Sequence, residues 1–318
     1  MDEHPRDDHG VESPHAAPRV STLINLTCRG VIGDVREQRR RRTAGVKKRP
    51  RRPPQRMSPR VSQPVFLLGS PRSGTTFLGE CVASAPSISY HFEPRLTKAA
   101  ARFVYDDIWS PSRARKVFRS FYGLLLLANG DGGSRFAEKN PENCFIVDFL
   151  AQTFPDALFV HIVRDGRDAA VSHAEKPWLR SGSERLGRHG RGGTAWGPTA
   201  RFWVESQRRE EFATVTDLER TAWAWRRFSE AAVTGLDQLP SARWLRVRYE
   251  KVVSDPGASA EELGAFLNFT SHDIDALHMA LASAVDTSVG RWKAALSPEQ
   301  VAAVSQQCGP LLMEWGYQ

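Results

Sequence analysis

An α/β fold, with a mainly parallel central sheet flanked by helices on both faces, is predicted by three features of this 318-residue sequence. The apolar run Val65-Phe66-Leu67-Leu68 ends in a glycine-bearing turn and passes into Phe77 to Val82, which can continue as a helix. Residues 157 to 163 form a second apolar run, as a strand covered on both faces requires, and 165 to 173 reads as a helix behind it. A third strand at Arg243 to Val247 precedes a helix from about Ala258 to Leu267. Strands and helices that alternate in this way build parallel sheets with helices on both sides.

In chain order, the turn Gly69-Ser70-Pro71-Arg72-Ser73-Gly74-Thr75-Thr76 is the first segment that carries chemistry. A turn of this kind aims several backbone N–H groups at one point, and the helix start adds partial positive charge, so anionic oxygens bind there. Its spacing follows the nucleotide-binding P-loop G-x-x-x-x-G-K-[ST], with Gly69, Gly74 and Thr76 in place. Thr75, however, stands where a triphosphate-cleaving enzyme has its lysine, and the loop's cation is Arg72. The expectation is a P-loop-containing three-layer fold whose loop grips a phosphate without the usual means of activating a triphosphate.

Glu93, between Phe92 and Pro94, is the candidate general base, with a pKa expected to rise on burial. His91 is its rival, since an imidazole titrates near neutrality. Leu96 to Leu127 reads as helical and could form one wall of a site. Lys139 precedes Pro141, which suits a first helical position, and Glu142 to Phe154 has helical apolar spacing. Arg164 ends the second apolar run, where ligands of open α/β sheets bind, and Ser172 lies two helical turns beyond it. Pro177 to Arg220, rich in Gly, Arg and Ser with Trp178, Trp196, Phe202 and Trp203 among them, is a long loop expected to be functional. Thr221 to Leu239 reads as a helix that packs Trp223 or Trp225 in the core, and Ser297 to Trp315 as a helix with a capped start.

Two of these segments together resemble sulfotransferases that use 3'-phosphoadenosine 5'-phosphosulfate (PAPS). Pro71 to Thr76 resembles that family's 5'-phosphosulfate loop, and 157 to 172 is similar to its 3'-phosphate motif. The resemblance runs from about Pro64 to the C-terminus and is to the bacterial branch similar to tyrosylprotein and carbohydrate sulfotransferases. It implies PAPS as sulfuryl donor, without a metal, held by Arg72, Ser73, Gly74, Thr75 and Thr76 at one end and by Arg164 and Ser172 at the other. Ser288-Val289-Gly290-Arg291-Trp292-Lys293 resembles the stretch that closes over the nucleotide, which adds Ser288 and Arg291 to the binding set. Cytosolic members carry an Arg-Lys-Gly triplet just upstream of this stretch, where this chain has Asp286-Thr287-Ser288. The resemblance further implies Glu93 as base, with Lys139 and Arg72 stabilising charge on the leaving and transferring oxygens. The acceptor is not fixed by the sequence: a hydroxyl of a small-molecule alcohol, phenol or carbohydrate is the expectation, and the resemblance to tyrosylprotein-type enzymes keeps a peptide open. The alternative built on the same loop is a phosphoryl-transfer enzyme or nucleotide-binding protein.

Charge divides the chain at about residue 60. Residues 36 to 60 hold twelve Arg or Lys against one acid, and 1 to 35 hold three basic against six acidic residues, so 61 to 318 carries no net charge within the total of +8. Residues 1 to 60 cannot bury enough apolar surface to fold alone and read as a disordered basic extension, with 61 to 318 as the enzymatic domain. Binding of nucleic acid or an anionic surface by the extension is the lesser expectation. The acidic first residues and the lack of an 18-residue apolar run point to a cytoplasmic protein. Cys28, Cys81, Cys144 and Cys308 show no metal or disulfide spacing and read as reduced packing residues.

Overall fold

The structure is a computed structural model that describes residues 61–128, 134–176, 202–284 and 286–317. The basic extension, Cys28, Trp178 and Trp196 lie outside the described residues. Five strands, β1 (Val65–Leu68), β2 (Ile88–Phe92), β3 (Arg135–Lys139), β4 (Leu158–Val163) and β5 (Trp244–Arg248), form one sheet in the order β2-β3-β1-β4-β5, and every pairing is parallel. Leu67 is level with both Lys139 and Val160, Phe92 with Lys139, and Val163 with Arg248, so the carboxyl ends of the strands line up.

Alternation along the strands sorts the core into two layers. Phe66, Leu68, Phe136 and Phe159 pack on one side with Phe118, Tyr122, Leu150 and Phe228. Val65, Leu67, Val160 and Ile162 pack on the other with Leu78, Leu263, Leu267 and Leu277. The first layer of helices includes α3 (Pro111–Ala128), α4 (Val147–Thr153) and α7 (Asp217–Leu236); the second includes α1 (Thr75–Val82), α9 (Pro256–Leu267) and α10 (Ser271–Leu281). Each buried Leu or Phe side chain stabilises this arrangement by about 1.5–3 kcal/mol. Trp223 and Trp225 are both core residues, and Cys81, Cys144 and Cys308 are buried free thiols.

Four segments differ from the sequence expectation. Of the loop expected over 177–220, residues 177–201 lie outside the described residues, and the rest holds a helix at Arg209–Thr214 and the start of α7. The 96–127 stretch is two helices, α2 (Arg95–Tyr105) and α3, separated where Asp107 adopts a left-handed φ of 53° and Pro111 starts the second. The helix expected from Glu142 begins as a 3-10 turn at Pro141–Phe145 and becomes α4 only after Ile146. The helix expected over 297–315 is broken into α12 (Pro298–Cys308) and α13 (Pro310–Glu314), because Gly309 has a φ of 69° and Pro310 has no N–H to continue the ladder. The remaining helices are α5 (Gly166–Ala174), α6 (Arg209–Thr214), α8 (Tyr249–Ser254) and α11 (Trp292–Ala295).

Candidate active site

β1 leads away toward β2, on one side, and β4 toward β5, on the other, so a crevice opens between their carboxyl ends at the topological switch point. The loop after β1 fills its floor. At Gly69, φ is 148° and a Cβ would lie 2.6 Å from the Ile162 carbonyl oxygen, so only glycine lets β1 turn this close to β4. At Gly74, φ is 90° and a Cβ would meet the Tyr249 ring at 2.5 Å. Gly74 caps α1 with no side-chain acceptor, and α1 has no acidic residue in its first turn, so the helix's leading N–H groups have no side-chain cap. Thr75 is buried and Thr76 half-buried in that turn. The Ser73 Oγ is buried with no hydrogen-bond partner.

Arg72, in the left-handed region at φ 71°, reaches across the crevice, and its Nε donates to Ser172 Oγ on α5 at 3.1 Å. Arg164, buried at the end of β4, donates from Nη1 to the Arg72 carbonyl at 3.1 Å and from Nη2 to the Ser288 carbonyl, while its Nε has no partner. The guanidinium stacks 4.7 Å from the centre of the Tyr249 ring. Partial desolvation and then repulsion from Arg164 lower the Arg72 pKa, with Glu175 opposing. Burial and then Arg72 likewise push His173 down to about 3. The crevice therefore holds two mutually repelling guanidiniums, with Asp168 4.0 Å from Arg164 Nη2 and Glu175 near Arg72 as their carboxylate neighbours.

The segment that carries Ser288 and Arg291 is held in place by Asp168, whose carboxylate accepts the N–H groups of Gly290 at 2.7 Å and Trp292 at 3.0 Å. The Trp292 ring lies 3.9 Å from the Arg167 guanidinium, which is itself paired bidentately with Asp165. Ser288 Oγ is 2.7 Å from the Tyr249 hydroxyl. Arg291 instead pairs with exposed Glu175 at 2.5 Å.

Two strands further along the sheet, Glu93 leaves β2 at a left-handed φ of 42° and its N–H donates to the Lys139 carbonyl at 2.8 Å. Its Oε1 pairs with the Lys139 ammonium and its Oε2 with Lys98 at 2.6 Å; Lys98 is also 3.3 Å from Glu142. Lys139 lies 4.3 Å over the Phe92 ring. The expectation of a raised Glu93 pKa is overturned. Burial pushes it up, but Lys98 and Lys139 outweigh burial and hold it at about 2. Burial lowers the Lys139 pKa against the pull of Glu93, and burial raises that of Glu142 against the pull of Lys98. Beneath the pair, fully buried Glu138 accepts from Thr97 Oγ1 at 2.9 Å, Tyr122 OH at 2.6 Å and Asn143 Nδ2 at 2.7 Å. His91 is stacked on Phe136 inside the sheet, with ring centres 4.6 Å apart.

The structure thus brings Arg72, Ser73, Gly74, Arg164, Ser172 and Ser288 together, places Glu93 with Lys139 in one ion pair, and turns Arg291 to the surface. Sequence reasoning missed Lys98, Asp168, Tyr249, Glu138 and Glu142. Tyr249 begins a Tyr-Glu pair two residues past the strand expected at Arg243 to Val247, which was the available signal. Among the described residues, no group of His, Cys, Asp and Glu is arranged to hold a metal ion, and no helix is long and apolar enough to cross a membrane.

A parallel sheet with an anion-binding turn at its switch point defines a P-loop-containing α/β protein. The sequence matches the profile of the Sulfotransferase family over residues 64–273, and the chain belongs to that family of transferases. It is 20% identical over 290 residues to protein-tyrosine sulfotransferase A of Caenorhabditis elegans, covering 81% of this chain and 68% of that protein. It is 27% identical over 295 residues to nodulation protein NoeE of Sinorhizobium fredii, covering 80% and 65%. The match to mouse protein-tyrosine sulfotransferase 1 is 26% over 123 residues and spans 33% of that protein. In fold, the chain is similar to sulfotransferase STF9 of Mycobacterium avium, with a TM-score of 0.54 and 13% identity over 96% of this chain and 88% of that one.

Proposed function

We propose that the protein transfers a sulfuryl group from PAPS to a hydroxyl of a small-molecule alcohol, phenol or carbohydrate. The observation that carries this reading is the crevice itself: Arg72 and Arg164 repel one another across it, and the Ser73 Oγ and Arg164 Nε have no partner there. These groups fit the two anionic ends of the donor. Arg72, Ser73, Gly74, Thr75 and Thr76 hold the 5'-phosphosulfate, and Arg164 and Ser172 hold the 3'-phosphate. Ser172 accepts from Arg72, which leaves its O–H proton to donate. Ser288 lies in the clipped segment beside Arg164. Arg291 reaches the same phosphate by leaving Glu175, and an exposed pair of that kind is worth only about 0–1 kcal/mol.

The donor supplies the sulfuryl group and a nucleotide leaving group. The acceptor oxygen–sulfur bond forms as the sulfur–oxygen bond to the 5'-phosphate breaks, and its electron pair leaves with 3',5'-adenosine diphosphate. Glu93 takes the acceptor proton. Arg72 and Lys139 neutralise charge that grows on the transferring and leaving oxygens. Thr75 in place of the loop lysine favours this chemistry over phosphoryl transfer.

Thermal unfolding with 3',5'-adenosine diphosphate and with ATP plus magnesium tests the proposal. The first ligand is expected to stabilise the protein more, with the gain lost in Arg164→Ala. Stronger stabilisation by ATP with magnesium would instead favour a phosphoryl-transfer enzyme. Radiolabelled PAPS offered to pools of alcohols, phenols, sugars and peptides then identifies the acceptor.

A further inference from the structure

The proposed base has two cationic partners, of which only Lys139 has a part in the reaction described above. Lys98 lies on α2, five residues past Glu93, with its Nζ 2.6 Å from Glu93 Oε2 and 3.3 Å from Glu142 Oε1. Its side chain is only 15% exposed, so these contacts are not a solvated surface pair. The charged groups that face Glu93 are therefore Lys139 from β3 and Lys98 from α2, with Glu142 of the 3-10 turn behind Lys98. Four charges of alternating sign run from Lys139 through Glu93 and Lys98 to Glu142.

The two ammonium groups are not equivalent. Lys139 ends β3 level with Leu67 of β1, two residues before the anion-binding loop begins, and in the proposed reaction it is the cation that serves the donor. Lys98 is anchored from behind by Glu142. We propose, resting on the sulfotransferase reading above, that Lys98 is a positioning residue. It grips Glu93 through Oε2 when Lys139 turns to the donor's oxygens, and so leaves Oε1 placed to take the acceptor's proton. Glu93 leaves β2 in a left-handed conformation, which is costly for a glutamate, and these ion pairs help hold it there. With both lysines attached the carboxylate is a poor base; with Lys98 alone it is placed and more basic.

The test compares Lys98→Met and Lys98→Arg with the wild type and with Glu93→Gln. Turnover is read as 3',5'-adenosine diphosphate formed from PAPS, with water, 4-nitrophenol and 2-naphthol as acceptors, and product affinity is read by calorimetry. Lys98→Met is expected to lower kcat roughly ten- to hundredfold, on the scale of misplaced acid–base groups, and to leave product affinity within about threefold. The acidic limb of its kcat profile moves to higher pH, because losing a nearby cation raises a carboxylate pKa. Lys98→Arg restores kcat to within about threefold. Should Lys98→Met not fold, Glu142→Gln reads the same role, with an expected fall in kcat of roughly three- to tenfold. Wild-type kcat and an unmoved limb in Lys98→Met, or unchanged kcat in the Glu142→Gln fallback, overturn the positioning role if Glu93→Gln is inactive, and the reading of Glu93 then stands. A wild type that neither consumes PAPS nor binds 3',5'-adenosine diphosphate removes the sulfotransferase reading and this inference with it, whereas a fully active Glu93→Gln removes Glu93 as base and this inference but leaves the sulfotransferase reading standing.

Discussion

Glu93, Arg72 and Gly74 each sit in left-handed backbone at the mouth of the sheet, and two of the three carry side chains that strain this conformation. Gly74→Ala adds a Cβ 2.5 Å from the Tyr249 ring at a φ of 90°, so it is expected to destabilise the fold by about 1–3 kcal/mol and to abolish the stabilisation by 3',5'-adenosine diphosphate, both read by thermal unfolding. Glu93→Gln keeps the shape and removes the base; turnover should fall on the order of a hundredfold with product affinity unchanged. His161, fully buried in β4, and His173 both have pKa values pushed down to about 3, by burial first and then by Arg246 and Arg72 respectively. Their folded pKa lies below the unfolded value near 6.5. The stability they contribute is therefore present above about 6.5 and is lost as the pH falls toward 3, at up to roughly 1.4 kcal/mol per pH unit for each. Denaturant titrations should show this slope, shallower by one proton in His161→Leu; an unchanged slope would contradict the assignment to His161. The glycines and Arg72 were legible because a turn between a strand and a helix constrains its own few residues. Lys98 and Asp168 were not, since what each does depends on a partner far along the chain or on another element.

At the scale of elements, β1, β4 and β5 announced themselves as apolar runs or as a strand before a helix, whereas β2 and β3 did not. Ile88-Ser89-Tyr90-His91-Phe92 and Arg135-Phe136-Ala137-Glu138-Lys139 mix polar and charged residues into a buried sheet, and their pattern becomes readable only once Tyr122, Thr97, Asn143 and Glu93 are seen to satisfy them. Buried charge in a strand was the mark of the site rather than an argument against a strand. Two of the three helix boundaries that moved did so at proline, glycine or a left-handed residue, where local chemistry outweighs apolar periodicity; the third lies at Ile146, where a 3-10 turn gives way to α4. The segment 288–292 is held to α5 largely by one carboxylate. Asp168→Ala should free it: amide hydrogen exchange at Gly290 and Trp292 should speed up, and 3',5'-adenosine diphosphate should bind roughly tenfold more weakly, a loss of about 1.4 kcal/mol. Unchanged exchange would show that Trp292 stacked on Arg167 is anchor enough.

At the scale of the whole molecule, the described residues from Val61 onward carry the sheet, both core layers and all the proposed site residues, and the family match starts at residue 64. A chain that starts at Val61 has no net charge and lacks the twelve basic residues of 36 to 60. It is expected to keep the wild-type affinity for 3',5'-adenosine diphosphate, measured by calorimetry; a folded truncation that binds more than tenfold more weakly would place the extension in the site. The overall α/β class was legible from the spacing of motifs, and so were Arg72 and Arg164, which the structure brings together. The pairing of Glu93 with Lys139, forty-six positions apart, came only from parallel register. That register makes neighbouring letters into opposites: Glu138 belongs to the side lined by Thr97, Tyr122 and Asn143 and Lys139 to the ion pair with Glu93, though they are one peptide bond apart. A single residue gained or lost within β3 ahead of Ala137 would exchange their sides, sink an ammonium among aromatic rings and set a second carboxylate beside Glu93. Natural variation in length is therefore expected to spare this strand and to collect in the connections around it.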